Sequence, residues 1–303
     1  MRHNNDLNDI LIEQSASPKV LSHTIYRGAH YYSHTPMIRI VFDLGRLENW
    51  PTSRLQGFTD RLLALLPGLA RHQCSRGYAG GFVERLREGT WLGHVAEHVA
   101  LELQCEVGTR VTRGKTRSVK GRPGVYNVMY AYGDEEVGLA AGRIALELVN
   151  SLLPARLAGI EGLEGLAALD GTFDLATRRT QLKRLAERRA LGPTTQALVD
   201  EAKRRGIPVT RLGRGSLIRL GQGRYQQLIR ASITGRTSML ATEAASDKDY
   251  TKQLLAAHGI PVPTGEVVRD EEEALKAAAR LGYPLVTKPR DGNHGRGITT
   301  GIV

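Results

Sequence analysis

Lys288 closes a short apolar run, Tyr283-Pro-Leu-Val-Thr-Lys288, and a loop with glycines at 292, 295 and 297 follows at once. Glycine takes φ > 0 without steric cost and lets the backbone come close to a polyanion, so successive N–H groups can converge on phosphate oxygens. A lysine on the adjoining strand adds a compact positive charge. The chemistry this favours is binding of a nucleotide triphosphate, with Lys288, Asp291, Gly292, Asn293, His294, Gly295, Arg296 and Gly297 as candidate contacts. No Gly-Lys-Ser/Thr follows the glycines, which excludes a Walker A loop. The plainer alternative is a basic, glycine-rich hairpin. Lys248 weighs against it. In Ser246-Asp-Lys248 it stands in the first turn of an expected helix, where a cation opposes the helix dipole unless it holds an anion.

A second set of reactive side chains lies in Trp91-Leu-Gly-His94-Val-Ala-Glu97-His98. In a helix, positions i, i+3 and i+4 share one face. His94 and His98 are therefore candidate ligands of one metal ion, with Glu97 beside them as the general base for a bound water. Zinc suits imidazoles plus a carboxylate and leaves a position open for water. The order H-x-x-E-H is that of the inverted zincins, and with 9 histidines in 303 residues it is an uncommon coincidence. The competing account is two histidines hydrogen-bonded on a polar helix face. For a third ligand, Glu135 at the start of the next long helix is the first choice, ahead of Glu136, Glu147 and Glu102. A carboxylate there also simply suits the helix dipole.

These residues sit in a chain long enough for two domains, with 41% hydrophobic residues and a net charge of +11. That charge implies an acidic partner. Six basic residues between Arg110 and Arg122 have no interleaved aromatics for base stacking, so nucleic acid is not expected. The N-terminus has no apolar core of signal length, and no apolar run reaches the ~18 residues of a membrane span. Cys74 and Cys105 form no disulfide framework. A cytoplasmic protein without membrane contact is the expectation.

The periodicity predicts an α+β N-terminal domain followed by an α/β domain cut short at its C-terminus. Residues 1–17 read as a disordered tail, 18–158 as the domain carrying the H-x-x-E-H helix, 159–176 as a linker, and 177–303 as the partial second domain. Paired strands are expected around His23–Arg27 and Met37–Leu44, and a strand at Val125–Tyr132. Helices are expected over Pro51–Leu69, Phe82–Arg87, Thr90–Val107, Glu135–Leu153, Thr177–Arg189 and Asp270–Leu281. Thr194 and Thr195 read as helix caps, and Gly-Ile-Pro-Val, at 206–209 and 259–262, as the punctuation between helix and strand.

Lys248, Lys288 and the 291–297 loop together are similar to the ATP-grasp superfamily, in which ATP activates a carboxylate as an acyl phosphate. Ser246-Asp-Lys248, Gly259-Ile-Pro-Val-Pro263, Val286-Thr-Lys-Pro289 and the glycine loop, in that order, resemble cyanophycin synthetases. So do Leu191-Gly-Pro-Thr-Thr195, Ser216-Leu-Ile-Arg-Leu-Gly221, Tyr225-Gln-Gln227, Arg27-Gly28, Gly77-Tyr-Ala-Gly-Gly-Phe82, Gly93 to Gln104, and Pro123-Gly-Val-Tyr126. The resemblance implies ATP with Mg2+ as cofactor. It also implies addition of aspartate to a poly-aspartate backbone and, through a further domain, attachment of arginine to each side chain. The partners expected are thus cyanophycin polymer or primer, aspartate and arginine, and a homo-oligomer is expected. In some members the H-x-x-E-H face is a metal-dependent peptidase, with Zn2+ as the metal expected here.

Two departures qualify this. Arg27-Gly-Ala-His-Tyr-Tyr32 differs from the usual Arg-Gly-Pro-Asn form, and the family's Mg2+-binding carboxylates do not appear after Gly297. The expectation is therefore the N-terminal portion of a ligase, with ligation not expected from residues 1–303 alone. The alternative is a metal-dependent peptidase with a non-ligating ATP-grasp remnant.

Overall fold

The computed structural model describes residues 16–292 and 295–303. Most of the expected N-terminal tail, and the candidates Asn293 and His294, lie outside the described residues. Two compact units are present, one ending at Gly215 and the other spanning Ser216–Val303.

In the first unit, β1 (Lys19–Tyr26) and β2 (Met37–Asp43) pair antiparallel, and β2 pairs in turn with the long C-terminal strand of a hairpin. That hairpin is β3 (Gly114–Val119) and β4 (Arg122–Ala131), turning at Gly121 with φ +76°, so the sheet order is β1-β2-β4-β3. The basic stretch 110–122 thus builds an edge strand, where charged side chains discourage pairing with another chain. Alternation in β2 sends Ile38, Ile40 and Phe42 to one fully buried face.

The helices α1 (Phe58–Leu65), α2 (Gly81–Glu88), α3 (Leu92–Glu106) and α4 (Glu135–Ser151) belong to the same core. One helix over Pro51–Leu69 is not what forms. Gly57 sits at φ +67° before α1, and Pro67 opens a 3-10 turn after it. α3 is buried at twelve positions because it packs between α4 and the β3–β4 hairpin. Any polar side chain on it must therefore find a partner inside the protein. Asp134 caps α4 by accepting from the Glu136 and Val137 amides. Gly142 lets this helix approach the sheet: a Cβ there would lie 2.0 Å from the Tyr130 hydroxyl, which donates to the Gly138 carbonyl.

The expected linker 159–176 is stitched onto this unit. Ile160 and Leu166 are buried, and Val20 donates to the Glu161 carbonyl. Helix α5 (Leu175–Arg189) packs on α4 through a buried ion pair, Arg178 Nε to Glu147 Oε2 at 2.7 Å. The division between units consequently falls at Gly215 rather than at residue 176. Of the basic helix face expected here, Arg178, Arg179 and Arg189 are taken up by Glu147, Glu106 and Asp134. α6 (Pro193–Arg204) is preceded by Gly192 as N-cap, not by a threonine, since Pro193 occupies the first turn and Thr195 is buried. β5 (Val209–Arg211) follows.

The second unit opens with the antiparallel strands β6 (Leu217–Leu220), β7 (Gln227–Arg230) and β8 (Ile233–Thr234). Helices α7 (Met239–Ser246), α8 (Lys248–Ala257) and α9 (Glu271–Leu281) follow, then an antiparallel pair, β9 (Leu285–Thr287) and β10 (Thr299–Ile302). The segment after the second Gly-Ile-Pro-Val forms no strand; residues 260–269 have no regular structure. Two prolines within four residues remove the amides a ladder would need.

Candidate functional sites

Each unit holds one candidate site. In the second, Asp247 is the N-cap of α8 and accepts from the Asp249 and Tyr250 amides. The same carboxylate receives the guanidinium of Arg290, with Nε at 2.8 Å, and together these bonds hold its pKa down to about 2. The Lys248 amide donates to the Arg290 carbonyl, and Lys248 Nζ donates to the Gly292 carbonyl at 2.8 Å. The start of α8 and the stretch after β9 are thereby laced together, although the bonded residues are 42 to 44 positions apart in sequence. Lys288 is exposed one residue beyond β9, and Arg296 is exposed in the loop turn. Gly292, Gly295 and Gly297 have φ of +99°, +72° and +69°, the region a phosphate-cradling backbone uses. Asp291 lines an open cavity of about 490 Å³ with Glu243, Ser246, Asp247 and Arg290. Among the described residues no cluster of three or more metal-ligating side chains lies in this unit.

The first unit's site is built on α3. His94 Nε2 lies 3.3 Å from Cys74 Sγ, and its Nδ1 lies 2.9 Å from the Thr90 hydroxyl. Cys74, His94 and His98 offer ligand atoms all within 4.8 Å of one another. Glu97 Oε2 accepts a 2.5 Å hydrogen bond from the Thr116 hydroxyl on β3, and its Oε1 is 4.0 Å from His98 Nε2. Gly114 makes room for that carboxylate, since a Cβ there would fall 2.1 Å from Glu97 Oε1. On its other side His98 Nδ1 meets His72 Nδ1 at 2.9 Å, and His72 Nε2 meets Glu102 Oε2 at 2.9 Å. Phe82 stacks on the His98 ring at 3.9 Å.

Burial dominates the electrostatics. It holds the His94 pKa down to about 4, helped by the charge of Arg85. It also holds His98 well below its ordinary value, with His94 and His72 adding to the effect. Both imidazoles are therefore neutral at pH 7, as metal ligation requires. Burial pushes Glu97 up to about 8 against the opposing pull of Thr116 and Arg117. A cation bound beside it would draw that value back down.

The helix pattern thus brings His94, Glu97 and His98 together, but Glu135 does not join them. It is engaged by Arg27 in a two-bond pair of 2.6 and 2.9 Å. The residue that does converge is Cys74, which sequence reasoning passed over. It sits at φ +54° in the turn before α2, an unfavourable conformation for a residue with a Cβ. Two histidines and a thiol are a donor set suited to a borderline ion such as zinc.

The comparisons with known proteins match this two-part layout. Residues 39–154 fit the family model described as a cyanophycin synthase-like N-terminal domain, and residues 239–293 fit that of an ATP-grasp domain. The chain therefore joins an N-terminal domain of that type to an ATP-grasp region. Its relatives include the cyanophycin synthetase of Geminocystis herdmanii, 42% identical over 94% of this chain and 31% of the relative. That of Crocosphaera subtropica is 41% identical over the same shares. The chain thus spans about a third of the length of the relatives it matches. A shorter match, 36% identical over 78 residues (26% of each chain), is to the alpha-aminoadipate–LysW ligase LysX of Sulfurisphaera tokodaii.

Proposed function

We propose that this chain supplies nucleotide-binding and polymer-handling parts of an ATP-dependent carboxylate–amine ligase that adds aspartate to a poly-aspartate backbone and, in the whole protein, arginine to the aspartate side chains, as the resemblance to cyanophycin synthetases implies. The observation that carries this reading is the lacing of Lys248 to the glycine loop after Lys288. It holds the Lys248 ammonium against the first of the left-handed glycines, next to Arg290 and Asp291, which line an open cavity. Lys248 and Lys288 would neutralise phosphate oxygens, and loop amides would orient them. ATP with Mg2+, when bound, supplies the phosphoryl group that turns a carboxylate into an acyl phosphate open to attack by an amine. Support for the class comes from the ATP-grasp match and from relatives named as ligases. The exposed basic residues of the β3–β4 edge, Arg113, Arg117, Lys120 and Arg122, would attract an acidic polymer. The test is incorporation of labelled aspartate onto a poly-aspartate primer by protein containing this chain. ATP-dependent incorporation that is lost in Lys288→Ala is the expected result.

A second reading, metal-dependent cleavage of the polymer backbone, is favoured by the convergence of Cys74, His94 and His98. Zinc held by these three would supply an activated water, and Glu97, fixed by Thr116, would accept that water's proton. Zinc analysis of the purified protein, with peptide hydrolysis by the parent and by Glu97→Gln, tests it.

A further inference from the structure

The H-x-x-E-H pattern accounts for His94, Glu97 and His98, but not for why a buried carboxylate one turn further along the same helix meets a third, half-buried histidine. Glu102 and His72 are both withdrawn from water, with side chains 9% and 16% exposed. Gly68 is what permits Glu102 to sit there, because a Cβ at that position would fall 1.5 Å from its Oε1. The resulting row runs Glu102 Oε2, His72 Nε2, His72 Nδ1, His98 Nδ1, with both gaps 2.9 Å.

Hydrogen-bond chemistry orients this row. A carboxylate only accepts, so His72 Nε2 carries a proton. With its one proton on Nε2, the His72 ring offers a bare Nδ1, which accepts from His98 Nδ1–H. His98 is left with its lone pair on Nε2, the nitrogen 4.0 Å from Glu97. The reverse arrangement requires a doubly protonated His72 and points an N–H from His98 toward Glu97, which removes His98 as a ligand through that atom. Phe82, stacked on the His98 ring with planes 19° apart, hinders rotation that could exchange the two nitrogens.

We infer that Glu102 and His72 are positioning residues that fix the tautomer of His98, so that its Nε2 presents a lone pair to the Cys74–His94 cluster. The inference rests on the metal-site reading for its purpose, but its first readout needs no metal. In neutral imidazole the protonated and bare nitrogens are distinguished by long-range 1H–15N correlation on histidine-labelled protein. The metal-free parent should show His98 protonated at Nδ1 alone. His72→Phe keeps a ring of similar size and removes the acceptor. The Nδ1–H preference should then disappear, and zinc affinity should fall 10–100-fold, the usual effect of losing an outer partner of a ligand. A His72 that merely fills space would leave both unchanged. Protonation of His98 at Nε2 in the parent, or an unaltered His98 tautomer in His72→Phe, overturns the inference whatever the metal does. If His72→Phe does not fold, the parent spectrum alone decides. A parent that shows the expected tautomer but binds no zinc would refute the metal site while leaving the positioning of His98 established.

Discussion

Lys248 Nζ donates to the carbonyl oxygen of Gly292 at 2.8 Å. An ammonium on the first turn of a helix is thereby held against the glycine loop of a remote strand. This arrangement is what an anion with several negative charges would need, since the cation is already held beside the left-handed glycines before the ligand arrives. Lys248→Ala is expected to weaken ATP binding without unfolding the second unit, because its side chain is only partly buried. Calorimetric titration alongside a thermal melt separates the two effects.

Asp247 gives a pH test of the same lacing. Its folded pKa of about 2 lies below the ordinary value of 3.8, with the Arg290 pair as the largest cause. The stabilisation it provides is therefore complete above about pH 4 and is lost as pH falls through about 2. Asp247→Asn keeps a competent N-cap but cannot pair with Arg290. Melting temperatures measured between pH 5 and pH 2 should fall more steeply for the parent than for Asp247→Asn. Parallel curves would show that the pair contributes nothing.

Arg178 is 1% exposed and donates to both oxygens of Glu147, with further bonds to the Asp170 and Gly171 carbonyls. Removing Arg178 leaves the Glu147 carboxylate with Arg143 alone, 3.0 Å from its Oε1, and breaking a buried pair costs up to about 3–5 kcal/mol. Arg178→Ala should therefore lower the urea midpoint of the first unit strongly, whereas Arg204→Ala, on an exposed pair, should change it little.

Gly114→Ala should uncouple Glu97 from its surroundings. The added Cβ would stand 2.1 Å from Glu97 Oε1, so the carboxylate must move, and the shift disturbs the hydrogen bond its Oε2 accepts from Thr116. Peptide hydrolysis, if present in the parent, should be lost in this variant while zinc content is retained. Retained hydrolysis would remove Glu97 from the chemistry.

The parts of these sites that were legible in the sequence are the local ones. His94, Glu97 and His98 share a face because helical spacing alone dictates it, and the glycines of the 291–297 loop announced their left-handed backbone. What escaped notice depends on contacts between distant segments. Cys74 reaches His94 only because the turn before α2 folds over α3, and nothing in its neighbours' types signals that. Glu135 looked available as a ligand because its partner, Arg27, lies 108 residues away. Likewise 159–176 read as a linker on its small and apolar composition, whereas those apolar residues pack against the core. The boundary near Gly215 was hidden for the same reason, since the buried pair between Arg178 and Glu147 binds α5 to the first unit.

The central claim is that the glycine loop and its two lysines hold the phosphates of ATP. Titration of ATP with Mg2+ into the parent protein and into Lys288→Ala tests it most directly. Saturable binding by the parent is expected, weakened at least ten-fold in the variant, which corresponds to about 1.4 kcal/mol. Absence of binding by the parent, or equal affinity in Lys288→Ala, would contradict the account.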